Sequence, residues 1–219
     1  MVKKISGLFF LAALLLPASA KAENLAWTFS SAAQNASLTN DNFGVVFTPT
    51  VNIIVDELGY YDPTGGMQYS HAVGLYNSSG TLLATTTITS ASTLTNNFLF
   101  NTLVTPIELF AGQTYVLDGY TGGYNADSVY GNDPVGVITA ANVTADGFVV
   151  SAPITILGDN FVSGDSSLTD TGTSSYPFTS NYFGADMGGY DAVPEPTSFL
   201  LLGTGLAGLA GMIKRKMTA

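Results

Sequence analysis

The 219-residue chain contains no cysteine. That absence excludes disulfides, thiolate zinc sites, iron–sulfur clusters and a cysteine nucleophile. Charge is scarce as well. Charged residues make up 10% of the chain, against about 25% in ordinary soluble domains. Six residues are Lys or Arg and 16 are Asp or Glu, a formal charge of −10. A nucleic-acid binder needs a basic face to neutralise phosphates, so that class is excluded. The single histidine, His71, rules out a multi-histidine metal site. A Ser-His-Asp triad would have to recruit His71, yet no serine sits in a Gly-x-Ser-x-Gly elbow. His71 is therefore expected to make a structural hydrogen bond.

What the chain does have is apolar and aromatic mass. With 24 Gly, 11 Tyr and 13 Phe it can bury a core, and the composition is not that of a disordered protein. The six basic residues are Lys3, Lys4, Lys21, Lys214, Arg215 and Lys216, all at the ends. Lys3 and Lys4 precede the apolar run Ile5–Leu16, which is followed by Pro17 and two small-residue sites ending at Ala20 and Ala22. A charged start, a short apolar stretch and an A-x-A site together form a secretory signal peptide over residues 1–22. Cleavage is expected at Ala20 or Ala22.

The other end reads Val193-Pro194-Glu195-Pro196, then the uncharged stretch Ser198–Ile213, then Lys214-Arg215-Lys216. Counted from Pro196 the stretch reaches about 18 residues, within the range that spans a bilayer as a helix. The basic end would stay cytoplasmic. Four glycines in the stretch suit close helix contact in lipid and would weaken a soluble helix. The order of Pro194-Glu195-Pro196, apolar span and basic end resembles the PEP-CTERM sorting signal of Gram-negative bacteria, also called the ice-binding protein C-terminal domain. The resemblance implies an exosortase-type partner, a membrane cysteine transpeptidase-like enzyme that processes the chain near Pro194–Pro196. It implies an inner-membrane intermediate, then delivery to the cell surface or extracellular polysaccharide matrix.

Between the signals lies one domain-sized stretch, residues 23–193. It holds 15 of the 16 acids, no Lys and no Arg. No Lys or Arg ion pair can form within it. Stability must come from apolar burial and neutral hydrogen bonds. The pattern is β throughout, with runs of Val, Ile, Thr, Tyr and Phe broken by Gly, Asn, Asp, Pro and Ser. Strands are predicted at Leu25–Ser30, Gly44–Thr48, Asn52–Tyr60, His71–Asn77, Leu82–Thr89, Asn97–Asn101, Ile107–Leu109, Thr114–Tyr120, Phe148–Ser151 and Tyr182–Asp186. Val73 and Leu75 are predicted to face opposite to Ala72, Gly74 and Tyr76. Tyr115 and Leu117 should likewise oppose Thr114, Val116 and Asp118. Asn77-Ser78-Ser79-Gly80 reads as a hairpin turn. Gly158-Asp159-Asn160 reads as a turn, and 163–180 as a long polar loop. The fold class is all-β: a jelly-roll-like two-sheet antiparallel sandwich, flanked by a signal helix and a C-terminal transmembrane helix.

One stretch is more specific. Leu58-Gly59-Tyr60-Tyr61, His71-Ala72-Val73-Gly74-Leu75-Tyr76, Gly80-Thr81-Leu82-Leu83-Ala84 and Ala111-Gly112-Gln113-Thr114-Tyr115 occur in that order. This order resembles a bacterial extracellular β-sandwich domain of unknown function. The resemblance implies adhesive or carbohydrate-associated settings and supplies no catalytic residues.

The best ligand-site candidate in the sequence is the Gly-rich loop carrying Tyr120, Tyr124 and Tyr130, whose rings could stack on a sugar. No cofactor is expected, but acid-rich turns make Asp127, Asp133, Asp159 and Asp165 candidates for a structural Ca²⁺. The expected function is structural or adhesive on the cell surface or in a biofilm matrix, with polysaccharide as a candidate partner, and not enzymatic. A secreted glycoside hydrolase using an Asp/Glu pair is the alternative. A third reading, ice binding, would need a flat Thr lattice. Thr85-Thr86-Thr87, Thr89 and the Ser/Thr-rich Ser163–Ser175 are its hints, and no period supports a lattice.

Overall fold

A computed structural model describes residues 25–28, 34–36, 40–62, 67, 69–122, 135–139, 148–150, 153–174, 180–189 and 191–192. The predicted signal and tail helices, residues 1–22 and 194–219, lie outside these. Among the described residues every regular element is a strand, and no helix is long and apolar enough to cross a membrane.

Fifteen strands follow in chain order: β1 (Trp27–Thr28), β2 (Gln34–Ala36), β3 (Asp41–Pro49), β4 (Ile53–Tyr61), β5 (His71–Asn77), β6 (Leu82–Ile88), β7 (Thr93–Thr95) and β8 (Phe98–Leu109). They continue with β9 (Tyr115–Tyr120), β10 (Val135–Thr139), β11 (Val149–Val150), β12 (Ile154–Ser163), β13 (Ser180–Phe183), β14 (Ala185–Gly188) and β15 (Asp191–Ala192). The first main sheet has the order β12-β3-β9-β5-β6 and the second β14-β4-β8-β7, with β15 also on β4. Smaller sheets join β13-β10-β2 and β1-β11. All pairings are antiparallel.

The period-2 alternation sorts side chains as predicted. Val73, Leu75, Tyr115 and Leu117 enter the main core, where they meet Ile53, Val55, Leu58 and Tyr60 of the second sheet. Val116 and Tyr76 point the other way and form a small cluster with Val46 on the outer face of the first sheet. Trp27 is fully buried in the main core. The hairpin turn after β5 closes as expected: Gly80 N donates to Asn77 O at 3.0 Å, and Gly80 takes φ 75°.

Several boundaries differ from the sequence reading. The sequence predicts separate strands at Asn97–Asn101 and Ile107–Leu109, but β8 is continuous. Ile107 pairs with Val55 and Thr102 with Glu57, so residues 103–106 bulge opposite a single residue. Pro106, which cannot donate to a ladder, sits in that bulge. β12 replaces the turn expected at Gly158-Asp159-Asn160. Turn-type composition is overridden here by nine registered pairs with β3, with a bulge between Ile156 and Gly158. The expected strand Tyr182–Asp186 divides at Gly184, where a Cβ would sit 2.9 Å from the Tyr60 ring. The short β2, β7, β10 and β15 carry too few residues for a legible pattern.

The 164–174 segment is irregular, as a loop reading expects, but it is not free. It lies as a strap across the outer face of the first sheet, and three outward polar residues hold it. Asn42 Nδ2 donates to Asp165 Oδ2 (2.8 Å), Ser167 O (3.1 Å) and Thr169 Oγ1 (3.0 Å). Asn160 Nδ2 donates to Thr171 O. Thr171 donates through its N and Oγ1 to the Asp118 carboxylate, at 3.2 and 2.7 Å.

Candidate functional site

The register explains where the strap fits. Gly44, Asp118 and Gly74 are consecutive across three paired strands. The two glycines carry no side chain, which leaves a trough on either side of Asp118. Thr171 fills one side, only 2.0 Å from where a Gly44 Cβ would be. Leu168 fills the other, at 2.8 Å from a Gly74 Cβ. Asp118 is fully buried, and no Lys or Arg stands among the described residues to pair with it. Burial pushes its pKa up to about 7, with the Thr171 hydrogen bonds pulling down and nearby Asp170 pushing up. Burial, Asp118 and Asp170 together push the Tyr76 hydroxyl up to about 12. Asp186 on β14 is also fully buried. Burial holds its carboxyl well above the usual range, against backbone N–H groups of Met187, Trp27 and Ala26. Sequence reasoning passed over Asp118. The available signal was an acid at an outward position between Val116 and Tyr120 in an otherwise apolar strand.

Tyr120 of the predicted ligand loop is a wall residue, only 8% exposed. Its hydroxyl lies 3.3 Å from Asn40 Oδ1 and 3.3 Å from Asp165 O. Its carbonyl accepts from His71 Nδ1 at 3.2 Å, and the His71 ring stacks on Tyr60 with centroids 4.2 Å apart. That is the structural hydrogen bond expected of His71. Tyr124, Tyr130, Asp127 and Asp133 lie outside the described residues, as do Ala20, Ala22, Pro194, Glu195, Pro196, Lys214, Arg215 and Lys216.

The remaining Ca²⁺ candidates, Asp159 and Asp165, sit in different elements. Asp159 belongs to strand β12 and pairs with Val45, not to a turn. Asp165 accepts from Asn42 and Thr169 in the strap. Among the described residues no three His, Asp or Glu groups cluster as metal ligands do. Thr85 and Thr87 oppose Gly74 and Ala72, so these threonines are not continued by others on the neighbouring strand.

An open space lies at the opposite end from Tyr120, where β9 begins. A groove of about 480 Å³ spans the seam between the two main sheets. One side is the β5–β6 turn with Asn77, Ser78 and Ser79. The other is the β8–β9 turn with Phe110 and Gln113. Glu108 is its one carboxylate. Phe110 is 52% exposed, comparable with Phe161 on β12 at 54%. A second, polar groove of about 280 Å³ is lined by Glu57, Thr93, Asn101 and Thr102, again with one carboxylate. Sequence reasoning missed the larger groove because its two turns are 30 residues apart.

Comparison with known families matches the chain twice. Residues 28–161 match the model described as Domain of unknown function (DUF4082). Residues 192–216 match the PEP-CTERM protein-sorting motif. Among curated proteins none matches.

Proposed function

From a chain that belongs to the Domain of unknown function (DUF4082) family and carries a PEP-CTERM sorting motif, we propose a surface or matrix protein that acts by adhesion, holding extracellular polysaccharide. The motif makes the chain an exported protein, processed by an exosortase and sorted to the cell surface. That motif is the observation that carries the reading: sorting to the cell surface supports a role in contact with extracellular polymer. The composition of the domain supports the choice of ligand. With 15 acids and no Lys or Arg in residues 23–193, it lacks the clamps that hold phosphate or carboxylate ligands. Neutral sugars and cations remain.

The hydrolase alternative needs two carboxylates facing across a cleft. Among the described residues, the two grooves named above each offer one, Glu108 in the first and Glu57 in the second. Adhesion without turnover is the better-supported reading.

A glycan array probed with the full chain in detergent, with and without Ca²⁺, tests the proposal. The expected result is retention on neutral glycans with no release of reducing sugar. Retention on no glycan, or steady release of sugar, would contradict it.

A further inference from the structure

Resting on the polysaccharide reading above, we infer that the groove between the β5–β6 and β8–β9 turns binds a neutral hexose polymer, with Phe110 as its stacking platform. The first argument is that Phe110 is held out, not left out. Its N–H donates to Tyr115 Oη at 3.0 Å. Ala111 N donates to Asn52 Oδ1 at 3.0 Å, and Gly112 N to Pro49 O at 2.9 Å. Gln113 N donates to Phe110 O at 3.2 Å. Gly112 adopts φ 75°, which lets the turn close. Four hydrogen bonds thus fix a turn whose most apolar side chain remains half in water. Presenting a ring in a fixed place lowers the ordering cost of binding.

The second argument is the chemistry around the ring. A hexose has an apolar C–H face and a rim of hydroxyls, so it suits an aromatic ring set among neutral polar groups. Across from Phe110, Asn77 Oδ1 accepts from Ser79 N and Thr81 N, both at 3.0 Å. This fixes the Asn77 side chain and leaves its amide N–H groups to donate. Gln113 supplies a second amide, and Glu108 an acceptor for hydroxyls. Leu83 and Ile107 provide half-buried apolar wall. A volume of about 480 Å³ falls in the range of ligand sites, and the groove runs open between two turns, as a polymer requires.

The third argument is charge, and it excludes rivals. The domain repels anionic polymers, and it repels a second copy of itself. The smaller groove has no exposed ring, since its Phe100 is buried.

Titration calorimetry of the full chain in detergent tests the site. The probes are hexasaccharides of glucose, galactose and mannose, with hexagalacturonate as the anionic comparison. At least one neutral hexamer should bind, and hexagalacturonate should not. Phe110→Ala should weaken that binding about tenfold, and Gln113→Ala about threefold. Neither should change the unfolding temperature. Phe161→Ala, which alters an exposed ring on β12, should leave binding unchanged. Neutral binding that survives both groove substitutions would overturn the groove and leave the adhesion reading standing. Binding of no neutral hexamer would overturn both. Tighter binding of hexagalacturonate would overturn the charge argument and with it this assignment.

Discussion

The outer face of the first sheet and the groove at the end of the sandwich are both lined with polar residues, but they handle them in opposite ways. On the outer face, Asn42, Asp118 and Asn160 are covered by the strap, and their hydrogen bonds end on it. At the groove, Gln113 and Ser78 are left in solvent beside an exposed ring. The first arrangement satisfies buried polar groups and specifies how a loop packs. The second forgoes burial of Phe110, which would have stabilised the fold by roughly 2 kcal/mol. A sealed polar cluster therefore speaks for structure and an open one, around a rigid ring, for recognition.

The comparison breaks first at Gly44. A Cβ there meets Thr171 Oγ1 at 2.0 Å and Asp118 Oδ1 at 2.3 Å. Gly44→Val is expected to displace the strap and cost about 3 kcal/mol. That corresponds to a fall of about 6–12 °C in unfolding temperature, with new proteolytic cleavage inside 164–174. An unchanged temperature would mean that the strap contributes nothing.

The next effect is pH dependence. The folded pKa of Asp118, about 7, lies above its ordinary value of 3.8. The folded chain therefore binds this proton more tightly than the unfolded chain. The stabilisation is complete below about pH 4 and is lost as pH rises through about 7, on the order of a few kcal/mol. Asp186, also raised, acts with the same sign. Thermal unfolding should show a temperature that declines from pH 5 to pH 8. Asp118→Asn should flatten most of that decline and raise the pH 8 value by about 5 °C. A stability that instead rises over this interval would reject the account of Asp118.

Smaller still is Asn42→Ala. It removes both amide N–H donors, which reach three acceptors in the strap, and the acceptor for Thr169 N. A loss of about 2 kcal/mol is expected by denaturant titration. Least of all is Phe110→Ala at the groove, whose stability should stay within about 0.5 kcal/mol of the parent while sugar affinity falls. If Phe110→Ala destabilised as much as Asn42→Ala, the two regions would not differ in kind.

How much of this was readable beforehand follows from distance along the chain. The strand His71–Asn77 and the hairpin turn after it were legible residue for residue, because alternation and turn chemistry are local. The sorting tail was legible for the same reason, being a contiguous string from Pro194 to Lys216. The strap was not, since Gly44, Asp118 and Thr171 meet only through sheet register. β12 was hidden by Gly158-Asp159-Asn160, a turn-like triplet that pairing with Val46, Val45 and Gly44 draws out as strand. The groove was hidden because Asn77 ends a strand of the first sheet and Phe110 follows a strand of the second. Tyrosine density drew attention to Tyr120 instead, whose ring the fold buries at the other end.

The sorting motif marks this acidic sandwich as an exported protein, and the proposal extends delivery to both basic ends of the chain. Intact-mass measurement of protein recovered from the cell surface tests it most directly. The account predicts a species lacking residues before about Lys21–Glu23 and lacking the Lys214-Arg215-Lys216 end, so that no Arg and at most Lys21 remains. A surface pool that retains the full tail through Ala219 would contradict it.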